Sequence, residues 1–322
     1  MSRTAQRATR AIAVATALLI GLPATATAAT KPTVTTGGAT KVTPTSVRLV
    51  GTVTPNGAKT TYRFHYGTTT LYGASTPIAV AGSGTKKLTV KAEVSGLAPN
   101  TRYHYRLVAR NSKGVTNGAD RNFKTKVQPL ALSLIANPNP VRFGEGTVLA
   151  GALTGTGNAG RQIVLQQSPF PHTQGFTQVG NPLVANQQGV FAFTLLGVAL
   201  NTQFRVLLPS KPSVVSPIVG VGVAPRVSTS VSATRVFTGT RVRFAGRVRP
   251  ARTGARIVIQ RLRGKRWSFV AATKARKGGK TFSRYAKRVR IRRGGSYRVL
   301  VRSSDGSYVE GSGRRVKIRR RF

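Results

Sequence analysis

Between Lys31 and Lys126 apolar and polar residues alternate in short runs separated by Gly, Pro and Asn. Val47, Leu49, Gly51 and Val53 alternate with Arg48, Val50 and Thr52, and Tyr62, Phe64 and Tyr66 alternate with Arg63 and His65. Leu88, Val90, Ala92 and Val94 continue the pattern, and Pro55-Asn56-Gly57 marks a turn. Successive side chains of an extended strand point to opposite faces. A period of two with turn signals every 8–12 residues or so therefore predicts an all-β sandwich rather than a helical fold.

The same segment carries a more specific pattern, Leu97-x-Pro99-x-Thr101-x-Tyr103-x-Tyr105-x-Leu107-x-Ala109-x-Asn111-x-x-Gly114. It resembles the E–F corner and F strand of a fibronectin type III domain. Gly51-Thr52-Val53-Thr54-Pro55-Asn56-Gly57 and Tyr66-Gly67-Thr68-Thr69 resemble the variant found in secreted bacterial proteins. The resemblance implies that Tyr103 is a corner tyrosine, its ring buried and its hydroxyl bonded back to the chain near Leu97. No Arg-Gly-Asp is present, so integrin binding is not implied.

The remainder reads as one unit written twice. Val148-Leu149-Ala150-Gly151 aligns with Arg243-Phe244-Ala245-Gly246, and Ile163-Val164-Leu165-Gln166 with Ile257-Val258-Ile259-Gln260. Phe176-x-x-Val179 aligns with Trp267-x-x-Val270, and Phe204-Arg205-Val206-Leu207 with Tyr297-Arg298-Val299-Leu300. A near-constant offset of domain length predicts a duplicated sandwich, and the units resemble the immunoglobulin-like repeats of bacterial surface proteins. Linkers are expected at Lys126-Val127-Gln128-Pro129 and Val223-Ala224-Pro225.

At the start, Arg3, Arg7 and Arg10 precede the apolar run Ala11–Leu22, Pro23 and the small residues Ala24–Ala29. This order predicts a cleaved secretory signal peptide, with an apolar run too short to span a bilayer. The expected organisation is thus a signal peptide (1–29), a fibronectin type III-like domain (30–126), an immunoglobulin-like domain (127–224) and a strongly basic immunoglobulin-like domain (225–322). The expected location is extracellular or cell-wall associated, with no membrane span in the mature chain.

Composition narrows the chemistry. The chain holds no Cys, three His and five carboxylates, which excludes disulfide frameworks and Cys-based metal or thiol chemistry. The only sequence-local acid pair is Asp305 and Glu310, read as a turn residue and a surface ion-pair partner. Glu93 and Asp120 lie at strand positions with no evident activating partner. His65 and His104 are expected on adjacent strands, facing away from the core tyrosines, with no nearby acid to complete a metal site; His172 lies in the loop Pro169-Phe170-Pro171-His172. Trp267, the single Trp, shares its repeat position with Phe176 and is expected in a core, whereas Tyr72 and Tyr308 are expected to be exposed. These residues predict a protein that is no enzyme and has no cofactor.

Charge changes the picture most. The formal net charge is +47, from 52 Lys and Arg against 5 acids, and residues 225–322 hold 30 of the cations. Residues 31–126 use 9 Lys and 6 Arg, but 225–322 use 6 Lys and 24 Arg, so a uniform bias in codon usage does not account for them. Arg241, Arg243, Arg247 and Arg249 alternate around Val242, Phe244 and Val248, and Arg288, Arg290 and Arg292 around Val289 and Ile291. That alternation predicts guanidinium rows outside the sandwich, suited to bidentate pairing with phosphate or carboxylate. The expected partners are anionic cell-envelope polymers or other extracellular polyanions. No recognised nucleic-acid motif appears, so sequence-specific DNA or RNA reading is not expected. The resulting expectation is a non-catalytic adhesion or spacer protein held to the envelope by these seven arginines. The alternative is a carbohydrate-binding accessory protein of extracellular polysaccharide degradation, using Trp267 or Tyr72 on a neutral glycan.

Overall fold

A computed structural model describes residues 28–321, so the signal-peptide expectation lies outside the described residues. Among the described residues there is no helix, and hence none long and apolar enough to cross a membrane. Strands form three two-sheet sandwiches around three separate buried clusters, with one further two-stranded parallel pair. The chain divides into two compact units, one ending at Lys126 and the other beginning at Val127.

In the first unit, strand Ser46–Thr54 pairs with Leu88–Ser95, and strand Thr60–Gly67 pairs with Arg102–Asn111. Their inward positions, among them Val47, Leu49, Val53, Phe64, Tyr105 and Leu107, are buried, as the period-two pattern requires. Tyr103 is buried, and its hydroxyl accepts the Ala98 N–H at 3.0 Å, one residue from the expected anchor. The tyrosine corner of a fibronectin- or immunoglobulin-like sandwich is therefore in place.

The second unit contains both copies of the repeat. In the first copy strand Thr147–Thr154 pairs with Val190–Leu195, and Gln162–Pro169 with Thr202–Leu208. In the second copy Arg241–Arg249 pairs with Ser283–Arg290, and Arg256–Arg263 with Gly295–Arg302. Ile163 and Leu165 occupy the core positions that Ile257 and Ile259 fill in the second copy. One aligned residue has a backbone reason. A Cβ on Gly151 would lie 2.2 Å from the Ser133 carbonyl oxygen, and one on Gly246 would lie 1.9 Å from that of Ser228. Each glycine lets an edge segment close over the centre of its sheet.

The two copies are joined by more than the chain crossing at 224–225. Val223–Ala224, paired in parallel with Val141–Arg142 inside the first copy, accepts at the Val223 carbonyl from the Val309 N–H of the second at 2.9 Å, and Arg226 Nε donates to the Phe143 carbonyl at 2.7 Å. Asn201 donates from its backbone N–H to the Ser307 carbonyl and from its side-chain amide to the Gly306 carbonyl. Its side-chain oxygen accepts the Val223 N–H at 2.8 Å. The loop so clamped delivers Tyr308 of the second copy into the hydrophobic core of the first. This corrects the expected exposure of Tyr308: its ring meets that of Phe143, centroids 6.4 Å apart, across more than a hundred residues of chain and beyond the reach of any local pattern.

Asp305 braces the same loop. It accepts from the Ser303 and Ser307 hydroxyls at 2.6 and 2.7 Å and from the Arg252 guanidinium at 2.6 Å. The two hydroxyls and then the guanidinium hold its carboxyl well below the ordinary carboxylate range. A depressed folded-state pKa contributes stability above the unfolded value and loses it as pH falls through the folded one. The stability difference between the natural chain and Asp305→Asn should therefore be constant from pH 7 to about 5 and shrink below about 4, as read by denaturant unfolding. Tyr308→Ala should destabilise the 127–322 unit by about 3 kcal/mol while the first unit unfolds unchanged, measured in the full-length chain.

Candidate polyanion-binding face

Cross-strand register decides where the seven arginines go. Arg241 lies opposite Arg290, Arg243 opposite Arg288, and Arg247 opposite Arg284. Paired residues share a face, and Val242, Phe244, Val248 and Val289 fill the other face as buried core. Arg241, Arg243, Arg247, Arg288 and Arg290 therefore form one exposed surface, with steps of about 6.8 Å between alternate residues along a strand. Arg249 continues the row and pairs across to Arg226 on the neighbouring strand Arg226–Val227. Arg292 is separate: it lies beyond the end of Ser283–Arg290, exposed, in the bend before Gly295. Among the described residues none of the seven forms an ion pair.

Sequence reasoning omitted Arg284 from this surface. The signal was present, because Arg284, Ala286, Arg288 and Arg290 occupy alternate positions of one strand. Local contacts hold parts of the row without neutralising it. Arg290 Nε donates to the Gly239 carbonyl at 3.3 Å, and the Arg247 guanidinium lies 4.9 Å from the centre of the Phe282 ring.

The carboxylates are engaged elsewhere. Glu310 pairs with Arg302 at 2.9 Å and Asp305 with Arg252, in line with a surface pair and a turn residue. Glu93 pairs with Arg48, and Glu145 lies 3.5 Å from Arg226. The expectation that His104 and Asp120 lack partners is corrected, since His104 Nδ1 and Asp120 Oδ2 are 2.8 Å apart. Asp120 also accepts the Tyr72 hydroxyl at 2.9 Å. Burial pulls this carboxyl up, but the His104 and Tyr72 hydrogen bonds and nearby Arg106 outweigh it and leave the pKa below its ordinary value. Burial, with Arg63 and Arg106, lowers His65. No group of three or more His, Cys, Asp or Glu suited to a metal ion occurs among the described residues.

Trp267 is also placed differently from expectation. It is half-buried and outside the core cluster, with the Arg298 and Arg315 guanidinium groups 4.4 and 5.4 Å from its ring. Phe176 stands in the same relation to Arg205, at 4.1 Å. The arginine in each copy donates through Nε to a cross-strand glutamine, Arg205 to Gln166 at 2.8 Å and Arg298 to Gln260 at 2.9 Å. The aromatic side chain recurs because a hydrogen-bonded arginine packs on it, a cation–π contact worth about 0.5–2 kcal/mol.

No family model and no curated protein matches this chain. Among solved structures it is similar to domains from titin, at 14% identity over 91% of this chain and 100% of that one, with a TM-score of 0.38. It is also similar to the FN1–FN3 domains of chicken CNTN1, at 13% identity over 89% of this chain and 99% of that one, with a TM-score of 0.30. A tetra-tandem repeat from the extending region of a large adhesion protein gives 12% identity over 89% of this chain and 74% of that one, with a TM-score of 0.27. Similarities this weak identify no family and no function.

Like charges directly opposite one another on a sheet destabilise it by a few tenths to 1 kcal/mol per pair. Arg243→Gln or Arg288→Gln should accordingly raise the stability of the 127–322 unit at low salt. The gain should vanish at high salt, where the repulsion is screened, and thermal unfolding at two salt concentrations checks it.

Proposed function

We propose that this chain is a secreted, non-catalytic adhesion or spacer protein held to anionic cell-envelope polymers by its last sandwich. The observation that carries this reading is the set of opposed arginine pairs, 241 with 290, 243 with 288 and 247 with 284, on one face without a carboxylate partner. Such a face costs stability in isolation and is relieved by a polymer bearing repeated phosphates or carboxylates. Guanidinium groups pair with those oxygens two at a time, which an ammonium does not. The first unit and the first copy of the repeat carry far fewer arginines and serve as the adhesive or spacing part.

A neutral-glycan site on Trp267 has less support, since arginine side chains already pack against its ring. Tyr72 is likewise engaged, with Arg106 4.8 Å from its ring and its hydroxyl on Asp120.

Removing residues 225–322 would strip Tyr308 from the core that receives it, so substitutions make the cleaner test. Binding of the full-length chain to purified envelopes should weaken steeply with salt, because neutralising phosphates releases counterions. Arg288→Gln, Arg290→Gln and Arg292→Gln together should lower affinity and make log affinity against log salt shallower by about two to three units. Salt-insensitive binding, unchanged by the triple substitution, would rule out anchoring through this face.

A further inference from the structure

The arginines of the second repeat copy do not end at the flat face. Strands Arg266–Lys274 and Ser283–Arg290 belong to different sheets of that sandwich, and a groove of ≈ 560 Å³ opens where the margins of the two sheets meet. Six arginines line it: Arg261, Arg263, Arg288, Arg290, Arg292 and Arg293. It has no carboxylate and no lysine in its wall. Arg261 is braced by donation to the Gly294 carbonyl at 3.1 Å, and the buried Tyr297 holds the adjoining bend by donating to the Arg293 carbonyl at 2.7 Å. Arg292, which lies off the flat face, thereby joins Arg288 and Arg290 around one cavity.

One further wall residue is Phe269, whose surface is 61% exposed. The groove thus sets a large, solvent-facing apolar ring beside six cations. A ligand with both anionic groups and flat apolar faces explains both. Single-stranded nucleic acid has that composition: phosphates at each step, and unpaired bases that stack on aromatic rings and on guanidinium planes. The groove's volume falls in the range of small-ligand sites, roughly 300–1,000 Å³, which suits a splayed nucleotide and not a duplex surface. That every cation in the wall is arginine fits the same ligand, because the guanidinium fork grips phosphate and its plane stacks on a base, whereas lysine does only the first.

We infer that this groove binds single-stranded nucleic acid without sequence preference, with Phe269 stacking on a base and the arginines holding the flanking phosphates. The inference rests on the polyanion-binding reading and names the polymer. The test measures affinity of the full-length chain for oligothymidylate and for an inorganic polyphosphate of matched charge, at one salt concentration, by competition. Oligothymidylate should bind roughly tenfold tighter. Phe269→Ala should weaken oligothymidylate by roughly 5- to 100-fold and leave polyphosphate unchanged, while Phe269→Trp keeps the preference. Because Phe269 lies outside the core, circular dichroism of each variant should match that of the natural chain. Equal affinity for the two polymers, or an equal effect of Phe269→Ala on both, overturns the nucleic-acid assignment but leaves polyanion binding standing. A Phe269-dependent preference for an acidic polysaccharide such as heparin over oligothymidylate also overturns it, by giving the ring to a sugar. Failure to bind any of the polymers overturns the broader reading with it.

Discussion

Antiparallel pairing of strand Arg241–Arg249 with strand Ser283–Arg290 sets the terms for the basic sandwich. With apolar residues at alternate positions of both strands, burying the core forces every other side chain outward, and here most of those are arginine. A slip of one residue would bury guanidinium groups and expose Val242, Phe244 and Val248, so the register is held by the core itself. The concentration of charge is thus a by-product of the hydrophobic pattern at the level of geometry, although the choice of arginine at those positions is not. The same alternation, carried to the sheet margins, brings the arginines beyond the strand ends around one groove.

The second constraint is the seam between the repeat copies. Tyr308, the Asn201 hydrogen bonds and the Val309 N–H on the Val223 carbonyl make the core of one sandwich depend on a loop of the next. Gly222 belongs to this seam, because a Cβ there would lie 2.8 Å from Val309. The basic face is consequently carried on a unit of two sandwiches rather than on a single tethered module. That gives a dense array of like charges a larger folded base to offset its self-repulsion.

Much of the fold was legible in the sequence because sandwich strands announce themselves locally. Period two located the core residues, the Tyr103 corner followed from its motif, and the repeat offset paired Ile163 with Ile257. The exposed rows of arginine followed from the same arithmetic. Three features did not. The burial of Tyr308 depends on a partner surface distant in sequence. Trp267 shares its aromatic identity with Phe176 without being a core residue, because the aligned Gln166–Arg205 and Gln260–Arg298 pairs supply what the ring packs against. The His104–Asp120 pair joins residues sixteen apart, with Asp120 not on a strand as expected but just before strand Arg121–Lys124, whose register with the His104 strand fixes the contact. The groove around Phe269 belongs to the same class, since it unites residues from strands of two sheets.

Strand Arg266–Lys274 lies at the end of its sheet, and strand Ser283–Arg290 is covered on its outer side only near Arg284 and Ser283. Bare strand edges of this kind are templates on which a second copy of a chain can extend the sheet. Here both margins are bordered by cations, so two copies approaching edge to edge meet strong mutual repulsion. At low ionic strength that repulsion keeps the chains apart, and a multivalent anion that cancels it removes the barrier. A polymer of the kind proposed above, on occupying this surface, would then also govern whether the molecules remain dispersed or gather along it.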